Sequence, residues 1–302
     1  MYHQPVLLYE TIAGLVNNPN GCYVDVTFGG GGHASEILNK LSTKGRLLGF
    51  DQDKDAVVNA LQDSRFQFVQ SNFKHLKKFL QFHKAYPVDG ILGDLGVSSH
   101  QFDEPERGFS YRFNEPLDMR MDRNKETTAA DIVNTYPSQK LAKLLFAFGE
   151  VQNAHKIAAL IEKTRQNNPI QTTGKLAKTV TPALPKGKEN KVLSQIFQAL
   201  RIEVNAEMNA LQSLLEQSIE ALKPGGRIAI ISYHSLEDRL VKNFFKTGNT
   251  EGTLHKDFYG NPLTPFKLIT KKAIIPTEEE IEQNPRARSA KLRIAEKLEF
   301  TN

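Results

Sequence analysis

A single cysteine, Cys22, stands in 302 residues. That excludes an intramolecular disulfide and a cysteine metal cluster, and it fits a reducing compartment. At the start of an apolar strand, Cys22 reads as an inert core thiol. No stretch approaches the roughly 18 apolar residues that mark a membrane span. Met1 to Glu10 lacks the basic region and apolar run of a secretory signal. The expected setting is cytoplasmic, with no membrane partner. No set of His, Cys and Asp has ligand spacing, so no metal is expected. There is no internal repeat and no low-complexity tail. Two nucleotide signatures are missing as well: the G-x-G-x-x-G fingerprint between strand and helix, and the G-K-[ST] of a phosphate loop. Acidic residues are the minority, 34 against 39 basic ones, for a formal charge of +5. A surplus of this size leans toward a polyanionic partner without requiring one.

What is present begins at Tyr23-Val24-Asp25-Val26-Thr27-Phe28, a branched and aromatic strand pattern that runs into Gly29-Gly30-Gly31-Gly32-His33. A helical pattern follows, Ala34 to Leu41. A strand that turns through glycine into a helix offers bare backbone N–H groups, which a bulky ligand can approach closely. Arg46 to Asp51 reads as a second strand ending in a carboxylate, where nucleotide-binding α/β folds hold a ribose diol. A ligand with a ribose but no pyrophosphate fits this pair of features, and adenosylmethionine is the obvious candidate. Ala56 to Leu61 reads as a helix, Phe66 to Val69 as a third strand, and Phe73 to Leu80 as an amphipathic helix with a basic outer face. Val88 to Gly93 makes a fourth strand that leads to Asp94. This alternation calls for a mostly parallel sheet with its ligand outside the carboxyl ends of the strands. Gly29 to His33, Asp51, Phe73 and Asp94 all fall at those ends.

The alternation then breaks. Ser98 to Asp122 is rich in Gly, Pro, Arg, Asp and Phe and has no period, and a loop of that length usually carries function. Helical patterns fill Ala129 to Gln166 and Thr172 to Thr179, and helix resumes near Lys191. Met208 to Leu222 belongs to one long amphipathic helix stopped by Lys223-Pro224-Gly225-Gly226. Arg227 to Ser232 is again a strand, and Ser235 onward a helix through Phe244 and Phe245. Phe266 to Ile269 with Ala273 to Ile275 suggests a sixth strand, and Ala290 to Ile294 alternates as a last one. The expected organisation is a sheet domain, 1–114 with 202–302, interrupted by a helical domain, 115–201, with a probable role in substrate recognition.

A methyl on a sulfonium is already activated, so the protein has mainly to align donor and acceptor and strip water. An exocyclic base amine is a poor nucleophile, and acceptors aimed at its N–H groups help it react. Asp94 is the candidate for that role. His33 sits in the glycine turn and reads as a cofactor-side or structural residue. Phe109 and Tyr111 either stack on a base extruded into a pocket beside the Ser98–Asp122 segment, or anchor that segment in the core. Arg107, Arg112, Arg120 and Arg123 either hold phosphates or pair internally with Asp118 and Asp122. Two basic groups, Lys175 to Lys191 and Arg286 to Lys297, either track an RNA backbone or form a solvated surface.

Eight blocks carry a resemblance: His3-x-Pro5-Val6-Leu7-Leu8-x-Glu10, Asp25-x-Thr27-Phe28-Gly29-x-Gly31-Gly32-His33, Asp94-Leu95-Gly96-Val97-Ser98-Ser99-x-Gln101, Arg107-Gly108-Phe109-Ser110, Pro116 to Asp122, Gln198 to Asn205, Ser232-Tyr233-His234-Ser235-Leu236-Glu237-Asp238-Arg239, and Asn284 to Arg293. In this order, over nearly the whole chain, they resemble the bacterial 16S rRNA cytosine-N4 methyltransferases, the MraW family. The resemblance implies a class I adenosylmethionine-dependent methyltransferase: a Rossmann-like α/β fold with a seven-stranded, mostly parallel sheet and an inserted helical domain. Such a sheet sets its seventh strand antiparallel between strands five and six. The implied activity is methylation of N4 of a decoding-site cytidine in 16S rRNA, as an rRNA (cytosine-N4-)-methyltransferase. The implied partner is that rRNA, within the small ribosomal subunit, and not DNA; the enzyme acts as a monomer or homodimer. Implied cofactor contacts are Gly29, Gly31, Gly32, His33, Asp51, Phe73, Asp94 and Gln101. Candidate substrate contacts are Arg107, Phe109, Tyr111, Arg112, Arg120 and His234. Two positions depart from the family pattern: Gly30 replaces a frequent basic residue, and Gly93 a larger apolar one.

Overall fold

The structure, a computed structural model, describes residues 5–299, so His3 lies outside the described residues. The chain divides into two compact units, one comprising residues up to Gly96 and from Met208 onward, the other Val97–Glu207.

The first unit is built on seven strands: β1 (Cys22–Asp25), β2 (Arg46–Asp51), β3 (Phe66–Gln70), β4 (Val88–Asp94), β5 (Leu222–Ser232), β6 (Phe266–Leu268) and β7 (Lys291–Lys297). Their order is β3-β2-β1-β4-β5-β7-β6. The first five are parallel, and β7 runs antiparallel to both of its neighbours. This is the class I methyltransferase sheet, with its late strand inserted as expected. Parallel strands buried on both faces read as near-continuous apolar runs. Successive residues then feed opposite cores. Tyr23, Leu47, Leu92 and Ile231 join one cluster with the helices Leu8–Leu15 and Gly32–Lys40. Val24, Leu48, Ile91 and Ile230 join the other, with the helices Leu76–Phe82, Glu207–Ala221 and Ser235–Thr247. Truncating one of these buried leucines or isoleucines to alanine costs about 2–5 kcal/mol.

Three local expectations change. Ala56 to Leu61 is not an α-helix; a 3-10 turn spans Lys54–Asn59 instead. Val58 is 82% exposed there, so the segment has no apolar stripe to bury. Helix Glu189–Asn205 ends before helix Glu207–Ala221 begins, because Ala206 takes a left-handed φ of 52°. Of the sixth strand, only Phe266–Leu268 forms a ladder, and Ile274 makes a single bridge to Leu292.

The second unit packs helices Ala129–Thr135, Ser138–Gly149, Ala154–Asn167, Thr173–Val180 and Glu189–Asn205 around Leu141, Leu145, Ile157, Ile161, Ile196 and Leu200. It starts at Val97 and not at 115, because the unperiodic segment supplies part of this core: Phe109, Leu117, Met119 and Met121 are all buried in it. Asn205 holds the segment in place. Its Oδ1 accepts the Met121 N–H at 2.8 Å and its Nδ2 donates to the Met119 carbonyl at 2.8 Å. Gly108, at φ 72°, lets the backbone turn where a Cβ would stand 2.3 Å from the Pro116 carbonyl oxygen. Among the described residues, no helix is long and apolar enough to cross a membrane.

Candidate active site

Three strands of the first unit end in aspartate, at Asp25, Asp51 and Asp94. Because the strands are parallel, the three carboxyls come to one edge of the sheet.

The glycine turn leaves β1 at φ 50° for Gly29 and 77° for Gly31, a region that disfavours side chains. A Cβ on Gly31 would also meet the Phe28 ring at 2.9 Å. Asp51 fastens the turn: its Oδ2 accepts the Gly29 N–H and its Oδ1 the Asp53 N–H, each at 2.8 Å. Asn59 closes the far side by donating from Nδ2 to the Gly29 carbonyl at 3.0 Å. A carboxylate has about four acceptor positions on its two oxygens, a set that can also serve a vicinal diol. Burial pushes the Asp51 carboxyl up to about 6, against the lowering effect of the Asp53, Gly29 and Gln52 N–H donors. Phe73 lies just past β3, half-buried on the core; β2 and β3 pair up to Asp51 and Gln70. The bare turn, the diol-matched carboxylate and the neighbouring aromatic face together suit adenosylmethionine.

His33 opens the helix that follows. It is buried, and its Nε2 lies 3.1 Å from the Val6 carbonyl oxygen. A carbonyl only accepts, so Nε2 carries the proton. Burial lowers the ring's pKa to about 4. His33 is thus neutral, and its Nδ1, 3.8 Å from Asp94 Oδ2, is too distant for a hydrogen bond. It is a structural residue of the turn, tying the N-terminal segment down. A Cβ on Gly32 would strike Pro5 of that segment at 2.3 Å.

Asp94 keeps 24% of its side chain accessible. Its backbone N–H donates to Thr27 Oγ1 at 2.6 Å, and Asp25 Oδ1 accepts the Thr27 N–H at 3.0 Å. The tips of β1 and β4 are thereby joined through a threonine. The Tyr233 hydroxyl donates to Asp94 Oδ1 at 2.8 Å. Burial pushes the Asp94 carboxyl up to about 7; the Tyr233 hydrogen bond opposes this, and the charges of Asp25 and Glu237 add to it. Asp25 is likewise raised to about 7 by burial. Tyr233, Thr27 and Asp25 are the site residues that sequence reasoning did not assign. The strand order is the signal for Tyr233, since Asp94 pairs with Ile231 on β5 and Tyr233 follows two residues on.

The departures from the family pattern are benign here. A Cβ at Gly93 would meet Ile230, Val26 and Leu214, all core, so Ile230 fills that volume; Gly30 is exposed.

Several expected substrate contacts have other work. Arg107 is 2% exposed, and it donates to the Arg120 and Met121 carbonyls at 3.0 and 3.3 Å. Phe109 is 5% exposed in the helical core, so it anchors the segment and offers no face for stacking. Arg120 pairs with Asp118 at 2.7 Å. Tyr111 is half-buried, edge-on to Phe197, with its hydroxyl 3.1 Å from Ser194 Oγ. Only Arg112 and Arg123 of this arginine set are exposed. Gln101, buried in the second unit, caps the short helix Ser99–Asp103, its Oε1 accepting the Ser98 N–H at 3.2 Å. His234 caps helix Ser235–Thr247, its Nδ1 facing the Glu237 N–H at 3.4 Å. Of the C-terminal basic group, Lys291 and Arg293 bind Asp238 at 3.3 and 2.7 Å, and Lys297 donates to the Leu222 carbonyl. Arg286 and Arg288 are exposed, as are Lys178, Lys186, Lys188 and Lys191.

Across residues 1–298 the chain matches the model of the MraW methylase family. It is 56% identical over 296 residues to ribosomal RNA small subunit methyltransferase H of Bacteroides thetaiotaomicron, covering 98% of this chain and 97% of that one. The protein of the same name from Flavobacterium johnsoniae is 56% identical over 297 residues, with 98% of each chain covered. That of Parabacteroides distasonis is 54% identical over 298 residues, again with 98% of each covered.

Proposed function

This chain belongs to the MraW methylase family, and from that premise we propose that it methylates N4 of a decoding-site cytidine in 16S rRNA, in the cytoplasm. It is a methyltransferase, and its cofactor is S-adenosylmethionine. The relatives' shared name, ribosomal RNA small subunit methyltransferase H, supports the RNA substrate. The choice of an amine rests on one observation, an accessible carboxylate at the tip of β4 with one oxygen held by Tyr233.

When bound, the cofactor supplies a methyl already activated by its sulfonium. The chain's residues do the rest. Asp51 accepts from the ribose hydroxyls, and the Gly29–Gly32 turn admits the ligand against bare backbone. Phe73 is a further cofactor contact on this reading. Asp94 Oδ1 is taken by Tyr233, which leaves Oδ2 to accept from the N4 amine and favour its lone pair for attack. With a pKa near 7, Oδ2 is also a competent acceptor for the proton that the amine sheds. A neutral His33 adds no competing positive charge beside that carboxylate. Arg112, Arg123 and the exposed lysines of the second unit supply charge for the RNA backbone.

The test is incubation of small subunits, and of free 16S rRNA, with methyl-labelled adenosylmethionine, followed by nucleoside mass spectrometry. Label in N4-methylcytidine supports the reading, and label in a C5-methyl or in protein overturns it. The same comparison separates naked rRNA from an assembled subunit as the substrate.

A further inference from the structure

Within the first unit, a cavity of about 300 Å³ opens beyond the carboxyl end of β5. Its wall combines two chemistries. Ile275, Pro276 and Ile281 form an apolar side, and Ile275 is 65% exposed. Facing the cavity are two cations, Arg288 and Lys291, with the hydroxyl-bearing Ser235 and Ser289. Arg288 is exposed. The Lys291 ammonium stands 3.3 Å from Asp238 Oδ2, and Arg293 holds the other oxygen of that carboxylate, so lysine donors remain for a second anion. Ser235 begins the 13-residue helix Ser235–Thr247, whose first turn carries Glu237 and Asp238. The acidic helix Glu278–Gln283 contributes only Ile281 to the lining; its Glu280 accepts the Leu7 N–H at 2.7 Å and lies near enough to Tyr233 for its charge to be felt there.

One residue ties the cavity to the reaction centre. Tyr233 lines it and donates to Asp94, so one side chain belongs to both places. His234 lines it too, with a side chain only 8% exposed. Its Nε2 stands 3.1 Å from Glu237 Oε1 without hydrogen-bonding geometry to it, and it is among the buried polar atoms with no hydrogen bond. A buried donor left in that state favours an incoming acceptor.

We propose that this cavity is a subsite for a nucleotide beside the methylated one, its phosphodiester held by Arg288 and Lys291 and its nucleoside laid on the Ile275–Pro276–Ile281 wall. The volume suits one nucleotide, being at the small end of ligand pockets. The pairing of an apolar face with cations is what a single-stranded nucleotide needs: a surface for the base and charge for the backbone. An inorganic anion uses the cations but leaves the apolar wall idle. The subsite rests on the RNA-methylation reading above and deepens it, since it fixes the strand's path past Tyr233.

The test is a binding measurement that does not depend on transfer. A short, unstructured, cytidine-containing RNA is titrated with the full chain by fluorescence anisotropy over a range of salt. Arg288→Ala weakens binding about tenfold and flattens the plot of log affinity against log salt by about 0.7, the share of one phosphate contact on a single strand. Arg288→Lys restores the slope. Lys44→Ala, an exposed lysine before the amino end of β2, changes neither quantity. Unchanged melting temperature in each variant keeps folding out of the comparison. An Arg288→Ala protein with wild-type affinity and slope overturns the subsite, as does an equal loss in Lys44→Ala. Competition by inorganic phosphate at constant ionic strength, with no slope change in Arg288→Ala, assigns the cavity to a free anion and overturns it too. Wild-type protein that binds this RNA through Arg288 yet transfers no methyl to any rRNA removes the functional reading and leaves the subsite standing.

Discussion

The Tyr233 hydroxyl donates to Asp94 Oδ1 at 2.8 Å, joining two neighbouring strand tips that lie 139 residues apart in the chain. That bond favours the charged carboxylate, and it works against burial, which favours the neutral one. Tyr233→Phe therefore raises the Asp94 pKa further above 7. Transfer at pH 7 is expected to fall about tenfold and to recover at higher pH, because the ionised carboxylate is the active form. The pH profile of methyl transfer reads this directly. A flat loss at every pH would assign the tyrosine to packing.

Asp94→Asn keeps the shape but points an N–H donor at an amine that must itself donate. kcat is expected to drop about 10²–10³-fold, the scale of one electrostatic contact made mainly in the transition state. Cofactor affinity should move far less. Single-turnover transfer with saturating cofactor measures it; a variant with wild-type turnover would leave the amine to backbone carbonyls.

Asp51→Ala removes the diol's acceptors and also the anchor of the Gly29 and Asp53 N–H groups. Adenosylmethionine binding is expected to weaken by about 1.5–3 kcal/mol, the range for charge-assisted hydrogen bonds. Calorimetry on the purified variant decides it. An unchanged dissociation constant places the ribose elsewhere.

Burial raises the carboxyls of Asp25, Asp51 and Asp94 from the ordinary 3.8 to about 7, 6 and 7. Between about pH 4 and 7 the folded chain holds protons that the unfolded chain has released. Stability from this source is full below pH 4 and is lost as the pH rises through 6 to 7. The melting temperature of the cofactor-free protein should fall across that window and level off above it. A melting temperature that climbs from pH 5 to 8 would show the three groups ionised in the native state.

Phe109→Ala opens a cavity in the helical core and should cost about 3–5 kcal/mol. Arg112→Ala, three residues on and exposed, should leave stability within about 0.5 kcal/mol of wild type. Denaturant unfolding of both variants separates an anchoring segment from a substrate-facing one; a Phe109→Ala protein of full stability would return that ring to the surface.

The parts of this fold legible in sequence were those set by one-dimensional pattern. Val88-Asp89-Gly90-Ile91-Leu92-Gly93-Asp94 reads as a buried parallel strand with a carboxylate at its tip, and so it is. The Gly29–His33 turn was equally plain, since its left-handed φ values favour glycine. Relationships set by strand order were not legible. Tyr233 meets Asp94 only because β5 lies beside β4, and Lys291 and Arg293 meet Asp238 only because helix Ser235–Thr247 packs near β7. Composition misled in the Ser98–Asp122 segment. Arginine and loop residues suggest a surface, yet backbone carbonyls of Arg120 and Met121 satisfy the Arg107 guanidinium inside the unit. Ala206 carries no mark of its left-handed turn, because alanine is otherwise the strongest helix former.

Among the described residues, strand β7 comes last of the seven in chain order, yet it lies inside the sheet, paired on both sides. Until residues 291–297 leave the ribosome, β5 presents an open edge and β6 has no ladder to join. The N-terminal segment waits as well, because its Leu7 N–H is received by Glu280. A nascent chain halted short of Lys291 keeps β5 paired with β4 but leaves its other edge, Ile228 to Ile231, open to pairing with other chains.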